Sequence, residues 1–198
     1  MFSIIAYIFR QLFSKPLKKC LILGLDNGGK TTTLQLMRSE INHNWNGEVG
    51  HTLPTVGLNM ARFQYKRQEV CFWDLGGQTA LRSLWSKYYD EAHGILYVID
   101  ANDPDRLTEA LGELEKAAAQ FVTPIKVCVF LNKCDVAADV GPLTAQLDAW
   151  CAQHLKHPYA VLYGSAMRPR IIRGAPTTAA ELIECLLTLH QTNTIKSI

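Results

Sequence analysis

The sequence predicts an α/β fold: a mostly parallel sheet with helices on both faces. Short apolar runs recur along the chain, as KKCLILG (18–24), EVCFWDL (69–75), GILYVID (94–100), KVCVFLN (126–132) and AVLYGS (160–165). Strands buried on both faces have this nearly continuous apolar composition. Stretches with helical spacing lie between them, and strand–helix alternation is the pattern of parallel strands joined by crossover helices. The chain has 198 residues, 48% hydrophobic and 19% charged, enough for one domain with a sizeable core and too apolar for a disordered chain.

The elements follow in order. After KKCLILG, TTTLQLMRSE (31–40) has helical character, and a loop rich in Asn, Gly and His covers 42–54. LNMARFQY (58–65) and EVCFWDL predict a hairpin around Lys66–Gln68. Asp103 can cap the helix after GILYVID, with Pro104 at its first position and Leu107, Leu111 and Leu114 on one face. KVCVFLN leads to a helix across Leu143, Leu147 and Trp150. Thr178-Ala-Ala-Glu181 predicts a capping box before the last helix, ELIECLLTLH (181–190). There is no repeat, low-complexity tract or dividing linker, so the expected organisation is an N-terminal arm (1–16), one domain (17–192) and a short tail (193–198).

Composition narrows the function classes. Twenty basic against eighteen acidic residues give a net charge of +2, without the basic excess of a dedicated nucleic-acid binder. Six scattered cysteines form no CxxC pair and predict reduced, mostly buried thiols of a cytoplasmic protein. The first thirteen residues are conspicuously apolar. Phe2, Ile5, Phe9 and Leu12 recur at helical spacing, Ile8 and Phe13 widen the stripe, and Lys15, Lys18 and Lys19 follow. The segment is too short to span a bilayer. It could lie amphipathically in a membrane interface or pack on the domain's own core, and its residues favour neither. Phe2 stands where N-myristoylation requires glycine.

The chemistry-bearing motifs fall at strand ends. Gly24-Leu-Asp-Asn-Gly-Gly29-Lys30-Thr31 matches GxxxxGK[ST] between a strand and a helix, where backbone N–H groups and the helix start can cradle phosphates. Lys30 would reach the β- and γ-phosphates, and Thr31 would place its hydroxyl on Mg²⁺. Asn132-Lys133-Cys134-Asp135 ends another strand. The Asp135 carboxylate would accept the N1–H and N2–H₂ of guanine, a donor pair adenine lacks. Asn132 would brace the loop and reach N7, and the Lys133 stem would lie on the base. Ser165-Ala166, after the next strand, would set a backbone N–H against guanine O6. Asp74-Leu-Gly-Gly77-Gln78 would hold Mg²⁺ through Asp74, bring the Gly77 N–H to the γ-phosphate and orient an attacking water with Gln78. Thr55, in Pro54-Thr55-Val-Gly57, would supply a second hydroxyl to Mg²⁺ when a γ-phosphate is present. Each short motif alone also suits an ordinary polar turn, and their order and spacing favour the nucleotide site.

With GLDNGGKTT (24–32), PTVGLN (54–59), FWDLGGQ (72–78), LWSKYY (84–89), YVIDANDPDRL (97–107), NKCD (132–135) and SA (165–166), the chain resembles a small GTPase of the ADP-ribosylation factor (Arf) family. Asp26, and DLGGQ rather than DTAGQ, point to this family within the superfamily. The resemblance covers roughly residues 17–190. It implies that GTP or GDP with Mg²⁺ is held by Gly24, Asp26, Asn27, Gly28, Gly29, Lys30, Thr31, Thr32, Thr55, Gly77, Asn132, Lys133, Asp135, Ser165 and Ala166. It assigns the metal to Thr31, Thr55 and Asp74, and catalysis to Gln78. It also implies a six-stranded sheet with the first hairpin strand antiparallel, and slow hydrolysis, with which the lack of an obvious arginine finger in the active-site motifs agrees. Exchange factor, activating protein and effectors are the implied partners of a monomer that does not bind nucleic acid.

The resemblance further implies an N-terminal helix that packs on the domain with GDP and moves to membrane with GTP, reconciling the two fates of the front segment. Trp73, Tyr88 and Leu58 fall at expected effector positions, though ordinary packing also explains them. Phe2, Lys87–Gly94 and the long loop before Pro54 are more similar to the Arf-related branch, which uses an integral membrane receptor and works at the trans-Golgi. The expected location is therefore cytoplasmic, cycling to Golgi membranes in vesicle traffic. Gly28 replaces a usual alanine, and the basic stretch MRPRIIRGAP (167–176) is longer than usual. A nucleotide-loaded interaction module with little catalysis is the alternative function, and a P-loop kinase or ATPase is disfavoured by NKCD.

Overall fold

The computed structural model describes residues 16–41, 47, 49–50, 52–137, 139–167 and 179–188. The front arm, the basic stretch from 168, Thr178 with its expected capping box, and the tail lie outside the described residues.

Six strands form one sheet, β1 (Lys18–Leu23), β2 (Leu58–Tyr65), β3 (Gln68–Leu75), β4 (Gly94–Asp100), β5 (Lys126–Asn132) and β6 (Tyr159–Tyr163), in the order β2-β3-β1-β4-β5-β6. All neighbours are parallel except β2 against β3. The helices are α1 (Lys30–Ile41), the short α2 (Thr79–Arg82), α3 (Leu107–Ala118), α4 (Gly141–His154) and α5 (Ala179–Thr188). Two 3₁₀ turns, Trp85–Glu91 and Pro104–Arg106, lead into β4 and α3.

The apolar runs explain the layering. β4 is buried from Gly94 to Ile99, and β5 from Val127 to Asn132, as strands covered on both faces must be. Leu21, Leu23, Ile95, Tyr97, Val127 and Val129 pack against α3 and α4 on one face. Ile22, Phe72, Leu96, Val98, Cys128 and Phe130 pack with α1 and α5 on the other. β2 lies at the sheet edge and alternates instead, with Ala61 and Phe63 inward and Arg62 and Gln64 outward. All six cysteines carry free thiols, five of them buried. Among the described residues no helix is long and apolar enough to cross a membrane.

Three local expectations need correction. The hairpin turn is tighter than Lys66–Gln68: Gln68 already pairs with Tyr65, and Lys66 adopts φ +53° to close a two-residue turn. Asp103 precedes the 3₁₀ turn but makes no capping bond, because its carboxylate is taken by Arg106 Nε at 2.6 Å. The last strand covers Tyr159–Tyr163 rather than 160–165, so Gly164 and Ser165 belong to the following loop. At the start of α5, the Ala179 amide donates to the Glu40 carboxylate at 2.8 Å.

The topology fixes where the site falls. β3 lies on one side of β1 and β4 on the other, so the chain reverses its winding between β1 and β4. Ligands of open α/β sheets bind outside the carboxyl ends of the strands at such a reversal. Gly24 leaves β1 there at φ +135°, and a Cβ would lie 2.2 Å from the Val98 carbonyl oxygen of β4. Only glycine permits this crossing.

Candidate functional site

The loop from Gly24 to Gly29 curls over the end of β1 and delivers the chain into α1. Its left-handed positions are Gly24, Asn27 (φ +60°) and Gly29 (φ +90°). Gly28 has ordinary φ, and a Cβ there would approach the Leu25 and Val98 carbonyls at 3.3 Å, a tight but small intrusion. Gly28, where alanine is usual, therefore makes no use of glycine's extra backbone freedom. Thr32 is half-buried in the first turn of α1, and Thr33 Oγ1 donates to the Gly29 carbonyl at 2.9 Å.

Lys30 is buried, with Nζ donating to the Leu25 carbonyl at 2.7 Å across its own loop. Burial pulls its ammonium down from the ordinary 10.5 to about 8, against the carboxylates of Asp74 and Asp26, which push it back. A phosphate placed beside a cation held in this way would add to the counter-charge of Asp74 and Asp26.

Thr31, Thr55 and Asp74 converge from three elements. Thr31 Oγ1 donates to Asp74 Oδ2 at 2.7 Å and lies 2.9 Å from Thr55 Oγ1. The loop bearing Thr55 is thus folded onto the start of α1. Asp74 Oδ1 is buried without a hydrogen-bond partner among the described residues. Burial raises the Asp74 carboxyl above the usual carboxylate range, opposed by the Thr31 hydroxyl and the Lys30 ammonium. Two hydroxyls and a carboxylate with an orphaned oxygen suit a hard divalent cation, so these residues fit Mg²⁺.

The loop after β3 closes the other side. The Gly76 N–H donates to the Gly57 carbonyl at 3.3 Å, joining this loop to the one that carries Thr55. A Cβ on Gly77 would lie 2.4 Å from Lys30 Nζ and 2.5 Å from the Gly24 carbonyl oxygen, so glycine is required for this approach. Gln78 is exposed at the start of α2, beside the cavity lined by Asn27, Lys30, Thr31, Pro54 and Thr55.

At the base end, Asn132 is buried and bridges two loops. Its Nδ2 donates to the Gly28 carbonyl and its Oδ1 accepts the Ala166 N–H, both at 2.9 Å. The bracing role expected of Asn132 is present. The N–H of Ala166, in the Ser165-Ala166 pair expected at the guanine O6 edge, is the group that this carboxamide holds. Ser165 is buried, and its hydroxyl accepts the Met167 N–H at 3.2 Å. Lys133 has φ +63°, with its ammonium on Asp100 Oδ2 at 2.5 Å. Asp135 is half-buried in the turn that follows. Asp100 was not singled out by the sequence, although it ends β4 opposite Asn132 in the register.

Two arginines, Arg106 within YVIDANDPDRL and Arg82 between the motifs, also reach the site. Arg106 Nη1 lies 3.2 Å and Arg82 Nη2 3.9 Å from Asp26 Oδ1. The Asp26 carboxylate faces these guanidiniums, and Arg106 Nη2 also donates to the Asp26 carbonyl at 3.4 Å. Trp73 is buried edge-on to Tyr88, with centroids 5.4 Å apart, so its packing role is met. Leu58 is half-buried beside the same core.

A six-stranded sheet of this order, with its glycine-rich loop at the winding reversal, is the small-GTPase fold. A family model described as the ADP-ribosylation factor family matches residues 5–168. The chain is 40% identical to ADP-ribosylation factor-related protein 1 of Rattus norvegicus and 41% to that of Homo sapiens, each over 138 residues, 69% of either chain. Its fold is similar to the Arl6 BBS3 small GTPase from Trypanosoma brucei with bound nucleotide analogue GppNp, at a TM-score of 0.67 and 24% identity, covering 87% of this chain and 96% of that one. The chain belongs to the ADP-ribosylation factor family, and is a GTPase whose cofactors are GTP or GDP and Mg²⁺.

Proposed function

We propose that this GTP-binding switch recruits effectors to Golgi membranes in vesicle traffic, with slow intrinsic hydrolysis that an activating protein accelerates. The observation that carries the switch is how the Thr55 loop is held: Thr55 meets Thr31 of α1 at 2.9 Å, and Gly57 accepts the N–H of Gly76 in the loop after β3. Groups facing the phosphates are thereby coupled to an apolar surface, since Leu53 and Val56 beside them are 89% and 84% exposed. A γ-phosphate that orders these loops also orders a surface for effectors.

In this reading the loop from Gly24 to Thr32 and Lys30 bind the phosphates, and Thr31, Thr55 and Asp74 hold Mg²⁺. When bound, Mg²⁺ neutralises charge developing on the β- and γ-phosphate oxygens. Gly77 approaches the γ-phosphate, Gln78 orients the water, and Asp135 selects guanine while Asn132 braces both loops. The membrane arm is residues 1–15, with its apolar stripe toward acyl chains and Lys15 toward anionic headgroups, while Lys18 and Lys19 belong to β1. The Golgi assignment follows the kinship with the Arf-related branch, as does an integral membrane receptor among the partners.

Flotation of the full chain with Golgi-type liposomes tests this. Binding is expected with a non-hydrolysable GTP analogue, weaker binding with GDP, and loss on deleting residues 1–15. Binding that ignores the nucleotide would reject the coupled release.

A further inference from the structure

We propose that Arg82 is a positioning residue for GTP hydrolysis: it anchors the Gly77–Gln78 peptide and so aims the Gln78 side chain at the site. The proposal rests on Gln78 being the residue that orients the attacking water. Arg82 lies four residues after Gln78, one turn along α2, and its side chain is 9% exposed. Its Nε donates to the Gly77 carbonyl at 2.9 Å. One Nη carries Glu109 of α3 at 2.7 Å, and the other faces Asp26 of the phosphate loop at 3.9 Å. One planar guanidinium therefore touches three elements, a geometry that a lysine ammonium cannot reproduce.

The peptide unit is planar, so holding the Gly77 carbonyl also fixes the Gln78 N–H and the direction in which its Cα leaves. Trp85 Nε1 holds the preceding carbonyl, of Gly76, at 3.0 Å in a buried setting. Consecutive glycines have little conformational preference of their own, and these two side chains supply the missing restraint. Gln78 needs such support, because it is exposed and makes no side-chain capping bond. The carboxylates of Glu109 and Asp26 compensate the sequestered charge of Arg82.

The experiment is single-turnover hydrolysis by the GTP-loaded, Mg²⁺-bound full chain, read alongside nucleotide release and thermal melting. Misplacing a catalytic group by a fraction of an ångström to an ångström costs on the order of ten- to a hundredfold. Arg82→Ala and Arg82→Lys should both slow hydrolysis on that scale while GDP release changes less than about twofold. Glu109→Ala should slow it less than Arg82→Ala, and Glu109→Gln, which keeps an acceptor, should retain more of the rate than Glu109→Ala. In a Gln78→Leu background Arg82→Ala should add nothing.

Hydrolysis at the wild-type rate in Arg82→Ala, losses matched by faster nucleotide release, or a full additional loss in the Gln78→Leu background would each overturn the positioning role. If Gln78→Leu itself leaves the rate unchanged, the assignment of Gln78 fails first. Should Arg82→Ala not fold, the Glu109 pair decides the matter, with equal rates in the two variants counting against the proposal.

Discussion

Asn132 Nδ2 donates to the carbonyl of Gly28 at 2.9 Å, joining residues 104 positions apart in the chain. The same side chain receives the Ala166 N–H, so one buried carboxamide ties the phosphate loop to the loop at the base end. Asn132→Ala leaves a buried carbonyl and a buried N–H without partners, at a cost of about 1–3 kcal/mol for each group. The variant should melt lower and release GDP at least about tenfold faster, since each 1.4 kcal/mol is a factor of ten. Gly29→Ala should act in the same direction, because its Cβ would lie 2.2 Å from Asn132 Nδ2. Unchanged GDP release in Asn132→Ala would show that the bridge is not needed to hold nucleotide.

Chelating Mg²⁺ should leave Asp74 Oδ1 buried without a partner and the phosphates without their counter-ion. GDP release is expected to rise by about tenfold or more with a chelator, equivalent to about 1.4 kcal/mol or more of lost binding. Asp74→Ala should release GDP quickly whether or not Mg²⁺ is present. A fluorescent nucleotide reports both rates, and a chelator effect of full size in Asp74→Ala would remove Asp74 from the metal site.

In the proposed reading Asp135 accepts two guanine N–H groups, and Asp135→Asn would replace that carboxylate with an amide suited to the 2-oxo group of xanthine. Losing hydrogen bonds to a charged acceptor should shift the GDP-to-XDP preference by about a hundredfold. Competition binding measures the shift. Retained guanine preference would assign base selection elsewhere.

The Lys30 ammonium gives a pH signature. Its folded value of about 8 lies below the ordinary 10.5, so between these limits the nucleotide-free folded protein binds fewer protons than the unfolded chain. For this group, the burial penalty is complete below pH 8 and is relieved as pH rises toward 10.5, so stability increases through that window. Phosphate restores the charged form, so nucleotide binding at pH 9 should take up nearly one proton, roughly the difference in occupancy at that pH. Calorimetry in buffers of different ionisation enthalpy measures it. No uptake at pH 9 would mean that the phosphates do not reach Lys30.

Much of the fold was legible because its signals are local. GILYVID and KVCVFLN coincide with β4 and β5 residue for residue, since strands buried on both faces leave an unbroken apolar run. GLDNGGKT was legible because glycine and a lysine at fixed offsets are what a phosphate cradle demands. The cap expected of Asp103 failed for the opposite reason: a carboxylate beside a helix start suits a cap by local rules, but Arg106 competes for it. The contact of the Ala166 N–H with Asn132, 34 residues earlier in the chain, likewise has no local signal.

By itself, then, the sequence determined the class of fold, the phosphate loop and the order of motifs along the strand ends. Periodicity, backbone conformation and residue chemistry act over a few neighbours and leave their mark there. Only the tertiary structure decided which polar partners meet. Asp26 with Arg106, Lys133 with Asp100, Asn132 between two loops and Arg82 against Gly77 with Glu109 all depend on where the sheet order and helix packing carry distant segments. Those pairings follow from the need to neutralise charges and satisfy buried polar groups once the core has closed, and no window of sequence contains both partners of the long-range ones.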